Sequence, residues 1–258
     1  MNLNRYMNLD GSNAKFSYED IIKAWSNRAK REVFCGHFLY SFVTETNQIE
    51  NIDISYNTTR ELFESEQLIG YNGDLRSVMS VLNNRNVARY MESQLQQREI
   101  ISTSMVLEVH RLLMFASIDR HRYEDNGERA GSFKRKDYCV GRYSVGSMPE
   151  DVAEDIGLLC DFVCEKQGTV DSLKLASAFQ CIFENVHPFA DGNGRVGRWL
   201  TNYLLVFNGH PPVLFSREYR REYYAALEAY DVGEDYTPMY DYLKEQTVLS
   251  WPSLREIV

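Results

Sequence analysis

The sequence predicts a mainly α-helical fold interrupted by one short β-hairpin, and three observations predict it. From Ser177, the residues Ala178, Phe179, Ile182, Phe183 and Val186 recur at the spacing of a helix with a single buried stripe. After Gly194 the pattern returns with Val196, Trp199, Leu200, Tyr203, Leu204 and Phe207. It stops at Asn208-Gly209, with Pro211 and Pro212 just beyond, a helix C-terminal signal. Between Gly131 and Gly146 the period changes to two: Tyr138-Cys139-Val140-Gly141-Arg142-Tyr143-Ser144-Val145 alternates about a glycine turn and predicts a hairpin. A lone hairpin is marginally stable and needs a surface beneath it. That suits a flap over a site as well as it suits a plain surface hairpin.

The same reasoning predicts helices over Phe16 to Val43, Ser77 to Leu95, Ser102 to Met114, Glu150 to Gln167, Arg217 to Tyr230 and Tyr236 to Val248. With 6 prolines among 258 residues and no low-complexity stretch or repeat, nothing marks a linker. Hydrophobic residues at 44% and charged residues at 25% match an ordinary globular protein, large enough to bury a core. The net charge of -9 argues against nucleic-acid binding, which needs a clustered cationic face; Lys134-Arg135-Lys136 reads as a solvated turn or a substrate contact. No signal peptide and no membrane-spanning apolar run is visible. Of five scattered cysteines only Cys160 and Cys164 are close, one helical turn apart, and they read as core thiols in a reducing cytoplasm.

The chemistry concentrates in His187-Pro188-Phe189-Ala190-Asp191-Gly192-Asn193-Gly194-Arg195-Val196-Gly197-Arg198, between the two most apolar helices. Gly192 and Gly194 allow successive backbone N–H groups to converge on an anion. The helix that follows adds about half a positive charge at its N-terminus. Arg195 and Arg198 stand on its first turn, where cations oppose the dipole. Stability does not explain them, whereas an anionic ligand such as a polyphosphate does. Asp191 adds a hard oxygen suited to magnesium, which binds one or two carboxylates together with substrate phosphates. His187, the only histidine near this cluster in sequence, titrates near neutrality and suits proton abstraction from a hydroxyl. The G-x-G-x-x-G match at Gly192–Gly197 is not a dinucleotide fingerprint, because a helix rather than a strand precedes it. A Walker A lysine is absent, and zinc would lack further ligands nearby.

This segment resembles the signature of the Fic family, His-Pro-Phe-x-Asp/Glu-Gly-Asn-Gly-Arg-x-x-Arg, at every defining position. Val109 to Met114, Ala130-Gly131-Ser132-Phe133, Met148-Pro149-Glu150-Asp151-Val152 and Tyr223-Tyr224-Ala225-Ala226-Leu227 resemble the family's core as well. The one departure is Lys134, where arginine is expected. The resemblance implies a Fic-type helical bundle with the hairpin as a flap over the active site. The core would span residues 100–245, after an N-terminal helical region at 1–99 and before a tail at 246–258.

The activity implied is transfer of AMP from ATP to a protein hydroxyl. His187 would be the general base, and Asp191 would hold Mg²⁺, with Mn²⁺ as an alternative. Gly192, Asn193 and Gly194 would form the anion hole, Arg195 would help hold the phosphates, and Arg198 would grip the γ-phosphate. Tyr223 would line the adenine pocket, with core packing as its other reading. The flap over 131–146 would align the target by strand addition. The implied partners are ATP and a protein target, with self-modification and homo-oligomerisation left open, and no nucleic acid or membrane.

Upstream, Thr46-Asn47-Gln48-Ile49-Glu50-Asn51 resembles the family's inhibitory motif, Ser/Thr-x-x-x-Glu-Gly/Asn. Glu50 would pair with Arg198 and deny it to the γ-phosphate, with Thr46 and Asn51 as the other motif positions. The same glutamate leaves room for a second reaction, removal of AMP from modified targets. A third reading transfers another phosphate-containing group.

Overall fold

A computed structural model of the protein describes residues 16–26, 36–65, 71–140, 143–144 and 146–251. The fold is mainly helical. Its centre is a pair of helices, α8 (Ser172–Val186) and α9 (Asn193–Phe207), joined by the short loop that carries the motif. The stripes predicted from sequence are the contact: Phe179, Phe183, Val196, Trp199, Leu200 and Tyr203 have no exposed surface. Gly197 lets the two helices close. A Cβ there would sit 2.8 Å from a Glu184 carboxylate oxygen and 3.1 Å from Phe183.

Around this pair, α7 (Val152–Lys166), α10 (Arg220–Gly233) and α11 (Thr237–Ser250) pack on α8, while α5 (Thr103–Leu113) packs on α9. Side-chain oxygens of Ser102 and Asp171 cap α5 and α8 by accepting from Met105 N and Lys174 N. The Asp171 cap starts α8 five residues before the stripe becomes apparent at Ser177. Helix α11 continues through residue 245 to Ser250, and Trp251 packs at 5.4 Å on Phe38.

The N-terminal part departs most from the sequence reading. Instead of one helix over 16–43, there are α1 (Tyr18–Ser26) and α2 (Gly36–Ile49), with the residues between outside those described. The short helices α3 (Tyr56–Glu64) and α6 (Arg120–Glu124) were not predicted; each is capped by a side chain, from Ser55 and Asp119. Helix α4 (Leu75–Gln97) is the longest. α2 and α4 both reach α9: Phe42 meets Trp199 edge-on at 4.8 Å, and Trp199 Nε1 donates to Asn84 Oδ1 at 2.7 Å.

In the stretch read as a hairpin, only β1 (Cys139–Val140) and β2 (Tyr143–Ser144) pair, antiparallel, and residues 131–138 form turns and loop. Two smaller expectations are corrected. Cys160 is buried but Cys164 is exposed, because Val163 takes the next inward position on α7 and turns residue 164 outward. Lys134 is no solvated turn residue, being 2% exposed. No helix among the described residues is long and apolar enough to cross a membrane.

Gly197→Ala should destabilise the protein by about 1–3 kcal/mol through overpacking, a fall in Tm of about 2–4 °C per kcal/mol. A thermal melt of the variant checks this, and an unchanged Tm would show that the α8–α9 contact has slack.

Candidate active site

The loop between α8 and α9 is shaped by its own residues. His187 ends α8 in the left-handed region, with φ 50°, and its N–H still donates to Phe183 O at 3.1 Å. Such a conformation at a non-glycine costs of order 1 kcal/mol and turns the chain sharply out of the helix. Two neighbours fix it: Ser147 N donates to Val186 O and Lys134 N to Pro188 O, each at 2.9 Å. Gly146 lies so close beneath that a Cβ there would be 2.5 Å from His187 Cβ. Burial pushes the imidazole down to about 4, and Lys134 adds to this while the Glu184 carbonyl opposes it. The ring is therefore neutral at pH 7, the form that accepts a proton.

Asn193 closes the loop. Its Oδ1 accepts from Phe189 N at 2.8 Å and its Nδ2 donates to Phe189 O at 2.7 Å. The side chain is committed to this staple, so only the backbone N–H of Asn193 is left for an anion. Helix α9 begins here. Its first helical bond is Val196 N to Gly192 O at 3.0 Å, so the N–H groups of Asn193, Gly194 and Arg195 precede the intrahelical ladder. Gly192 has φ 85°, and a Cβ would lie 2.8 Å from Met114 Sδ, so only glycine fits.

Two arginines converge on this helix start. Arg198 is fully buried: its Nε donates to Thr46 Oγ1 at 2.7 Å, and its Nη2 to Thr46 O at 3.1 Å and to Glu50 Oε1 at 2.7 Å. Burial alone would raise the Glu50 carboxyl. Arg198, backed by Arg195 and Arg220, overrides this and holds it below the usual carboxylate range. The same carboxylate lies over the helix start, since a Cβ on Gly194 would be 2.4 Å from Glu50 Oε1. Arg195 is 6% exposed and faces Asp191 Oδ1 at 3.5 Å and Met114 Sδ at 3.3 Å. Arg195 Nε and Arg198 Nη1 are buried donors with no hydrogen-bond partner among the described residues. Orphaned cationic donors beside free helix N–H groups are suited to an anion.

Asn51 explains the last position of the upstream motif. It has φ 58°, the left-handed turn that ends α2, and its Oδ1 accepts from Arg220 Nη1 at 3.0 Å. Asp191 lies at the mouth of the loop. Its Oδ1 accepts from Gly192 N at 2.7 Å, and its Oδ2 is 3.2 Å from Arg122 Nη1. Among the described residues no group of three His, Cys, Asp or Glu side chains could hold a metal ion. One carboxylate binds a divalent cation weakly, with water as the remaining ligands, and substrate phosphates would complete the shell.

Three residues here were not legible from sequence. His110, far from the motif in sequence, is buried against it. Its ring stacks on Phe189 at 3.7 Å, its Nδ1 accepts from Gly131 N at 2.9 Å, and its Nε2 therefore carries the proton and donates to Asp191 O at 3.1 Å. His187 is thus not the only histidine at the cluster. Arg122 comes from the unpredicted α6. Tyr224 replaces Tyr223 as the accessible aromatic: Tyr223 is 1% exposed, accepts from Gln180 Nε2 at 2.9 Å and packs on Phe215, whereas Tyr224 is 41% exposed beside Arg220. Tyr223 backs Arg198, whose guanidinium lies 5.8 Å from its ring, and does not face an open pocket.

Residues 100–205, from the approach to α5 through α9, match the Fic/DOC family. They form a Fic domain. The chain is 30% identical over 226 residues to protein adenylyltransferase fic-1 of Caenorhabditis elegans, covering 86% of this chain and 41% of that protein. It is 27% identical over 234 residues to protein adenylyltransferase Fic of Drosophila willistoni, covering 89% and 43%. The chain therefore spans about two-fifths of the length of these curated relatives. Among solved structures, C. elegans Fic-1 (residues 134–508) superposes with a TM-score of 0.76 at 26% identity, over 93% of this chain and 69% of that one. A Fic-domain signalling protein from Bacteroides thetaiotaomicron gives 0.77 at 20% identity, over 90% and 92%, a likeness of fold.

In an NMR titration, with His187→Asn to assign the signal, the His187 ring of the Fic domain should titrate near pH 4 and not at the ordinary value of about 6.5. A midpoint at 6 or above would mean that the ring is solvated.

Proposed function

We propose that this chain transfers AMP from ATP to a hydroxyl side chain of a target protein, and that its own Glu50 holds the reaction back. The observation that carries the reading is the position of the Glu50 carboxylate, on buried Arg198 and over the N-terminus of α9, where a polyphosphate would have to lie. The names of the curated relatives, protein adenylyltransferases, support the same reaction.

The phosphates would bind along the N–H groups of Asn193, Gly194 and Arg195, because the Gly192 N–H expected there is donated to Asp191 Oδ1 at 2.7 Å, with the Arg195 guanidinium beside them and Arg198 on the γ-phosphate. The adenine would lie against Tyr224. Neutral His187 takes the proton as the target hydroxyl oxygen bonds to the α-phosphorus, the bond from that phosphorus to the bridging oxygen of the β-phosphate breaks, and pyrophosphate leaves. Asp191 would hold Mg²⁺, or Mn²⁺, which neutralises phosphate charge when bound. His110 fixes the Asp191 backbone from behind. The 131–146 segment, tied by Lys134 N to Pro188 O and followed at once by Ser147 N on Val186 O, would serve as the flap for the target strand. ATP as donor and the free cysteines Cys160, Cys164 and Cys181 fit a reducing cytoplasm.

Glu50 also supports a second reading. It is ionised and 30% exposed at the site, placed to orient a water that removes AMP from modified protein.

Glu50→Gly should raise transfer by about 10²-fold, the scale on which a misplaced phosphate slows reaction. Label should appear on protein from α-labelled ATP and not from γ-labelled ATP; self-modification would appear as label on the chain itself. His187→Ala in that background should abolish labelling, and label from the γ-position alone would sink the reading. Release of AMP from labelled protein by the wild type, lost in Glu50→Gly, would establish the second reaction.

The brake should persist at neutral pH. A carboxylate whose folded pKa is depressed contributes its stabilisation above the unfolded value, about 4.3, and loses it as pH falls through the folded one. Glu50→Gly should therefore remain faster than wild type throughout about pH 6 to 8, where Glu50 stays ionised. Glu50→Gly should also cost about 2 kcal/mol of stability, less than the ~3–5 of a fully buried pair because Glu50 is 30% exposed.

A further inference from the structure

Arg122 lies outside every motif, yet it reaches the carboxylate read above as the metal ligand. It stands on α6, five residues long, whose cap is Asp119 Oδ1 accepting from Arg122 N at 3.0 Å. Its Nη1 is 3.2 Å from Asp191 Oδ2, its Nε is 3.3 Å from Asp119 Oδ2, and its guanidinium lies 5.5 Å from the Tyr138 ring. Because Arg195 faces the other oxygen at 3.5 Å, each Asp191 oxygen already meets a guanidinium.

A divalent cation arriving at Asp191 therefore enters the field of two positive charges. Arg195 is buried, enclosed between Met114 and the loop. Arg122 is 32% exposed and keeps a second carboxylate, Asp119, to return to. A polyphosphate on the α9 N-terminus would lie beside Asp191 and offer Arg122 a stronger anion than the carboxylate it leaves, in a geometry that a guanidinium fork satisfies.

We propose that Arg122 is a nucleotide-phosphate-binding residue parked on Asp191: without nucleotide it competes with the divalent metal for that carboxylate, and with nucleotide it moves to the phosphates. The inference rests on the reading of Asp191 as the metal residue and of the α9 N-terminus as the phosphate site. It predicts two effects of opposite sign from one substitution, whereas simple loosening of α6 would weaken both bindings.

The test uses the 258-residue chain and two probes. Mn²⁺ alone is followed by electron paramagnetic resonance, and ADP in EDTA by calorimetry; ADP is chosen because Glu50 holds the γ-phosphate arginine. Arg122→Gln should tighten Mn²⁺ about 3–10-fold, the effect of removing one charge several ångströms away in a hydrated site, and weaken metal-free ADP by a similar factor. Arg122→Lys, which keeps the charge but loses the fork, should leave Mn²⁺ affinity near wild type. Any pattern for Arg122→Gln other than these opposed shifts overturns the proposal. Asp191→Ala separates the layers: if it still binds Mn²⁺ like wild type, the metal reading of Asp191 fails and takes the inference with it. If it loses Mn²⁺ while Arg122→Gln shows no opposed shifts, the inference fails alone.

Discussion

A guanidinium with no exposed surface needs an anion, and the arrangement around α9 follows from that need at Arg198. Removing a cation from water without a partner costs several kcal/mol, so a fold that buries one must supply negative charge. Two carboxylates are within reach. Burial pushes Glu184 up to about 7, with Arg198 opposing and Glu50 reinforcing, so at neutral pH Glu184 is only partly charged. Glu50 stays ionised and carries the compensation. Whatever displaces Glu50 must bring negative charge of its own, so inhibition and nucleotide binding are alternatives imposed by electrostatics.

That compensation works because α2 is held from several sides. Asn47 Oδ1 accepts from Ser80 Oγ of α4 at 2.7 Å, and Thr44 Oγ1 donates to Thr59 Oγ1 of α3 at 3.0 Å. Glu45 Oε2 accepts from Arg217 N at 2.8 Å, ahead of α10. The helix thus joins both flanks of the site. Its polar residues answer to neighbours in the N-terminal helices and in the Fic domain, which is why a segment outside the matched residues 100–205 sits inside the candidate site.

Much of this was legible in the sequence, either because neighbours in space are also neighbours along the chain or because a motif resemblance joined distant positions. The α8 and α9 stripes, the glycines of the loop and the pairing of Glu50 with Arg198 follow from periodicity or from motif resemblance. What stayed hidden is long-range. His110 reaches Asp191 across 81 positions, and only the fold reveals that its ring stacks on Phe189. Tyr223 and Tyr224 look alike in sequence, and the side of α10 that meets Phe215 decides which is buried. The missed helices α3 and α6 are nine and five residues long, too short for an apolar stripe to repeat over several turns. The division of the 16–43 segment likewise left no proline to announce it.

The Asn193 staple has a consequence for how such a protein can be adjusted. A loop fastened to itself at Phe189 has its shape before any nucleotide arrives, so there is little in it to switch. Control then moves to the lateral supports of α2, to residues such as Ser80, Thr59 and Arg217 that never meet the phosphates. Small changes in how those supports fit would reset the idling speed of the proposed transfer while leaving its chemical machinery untouched.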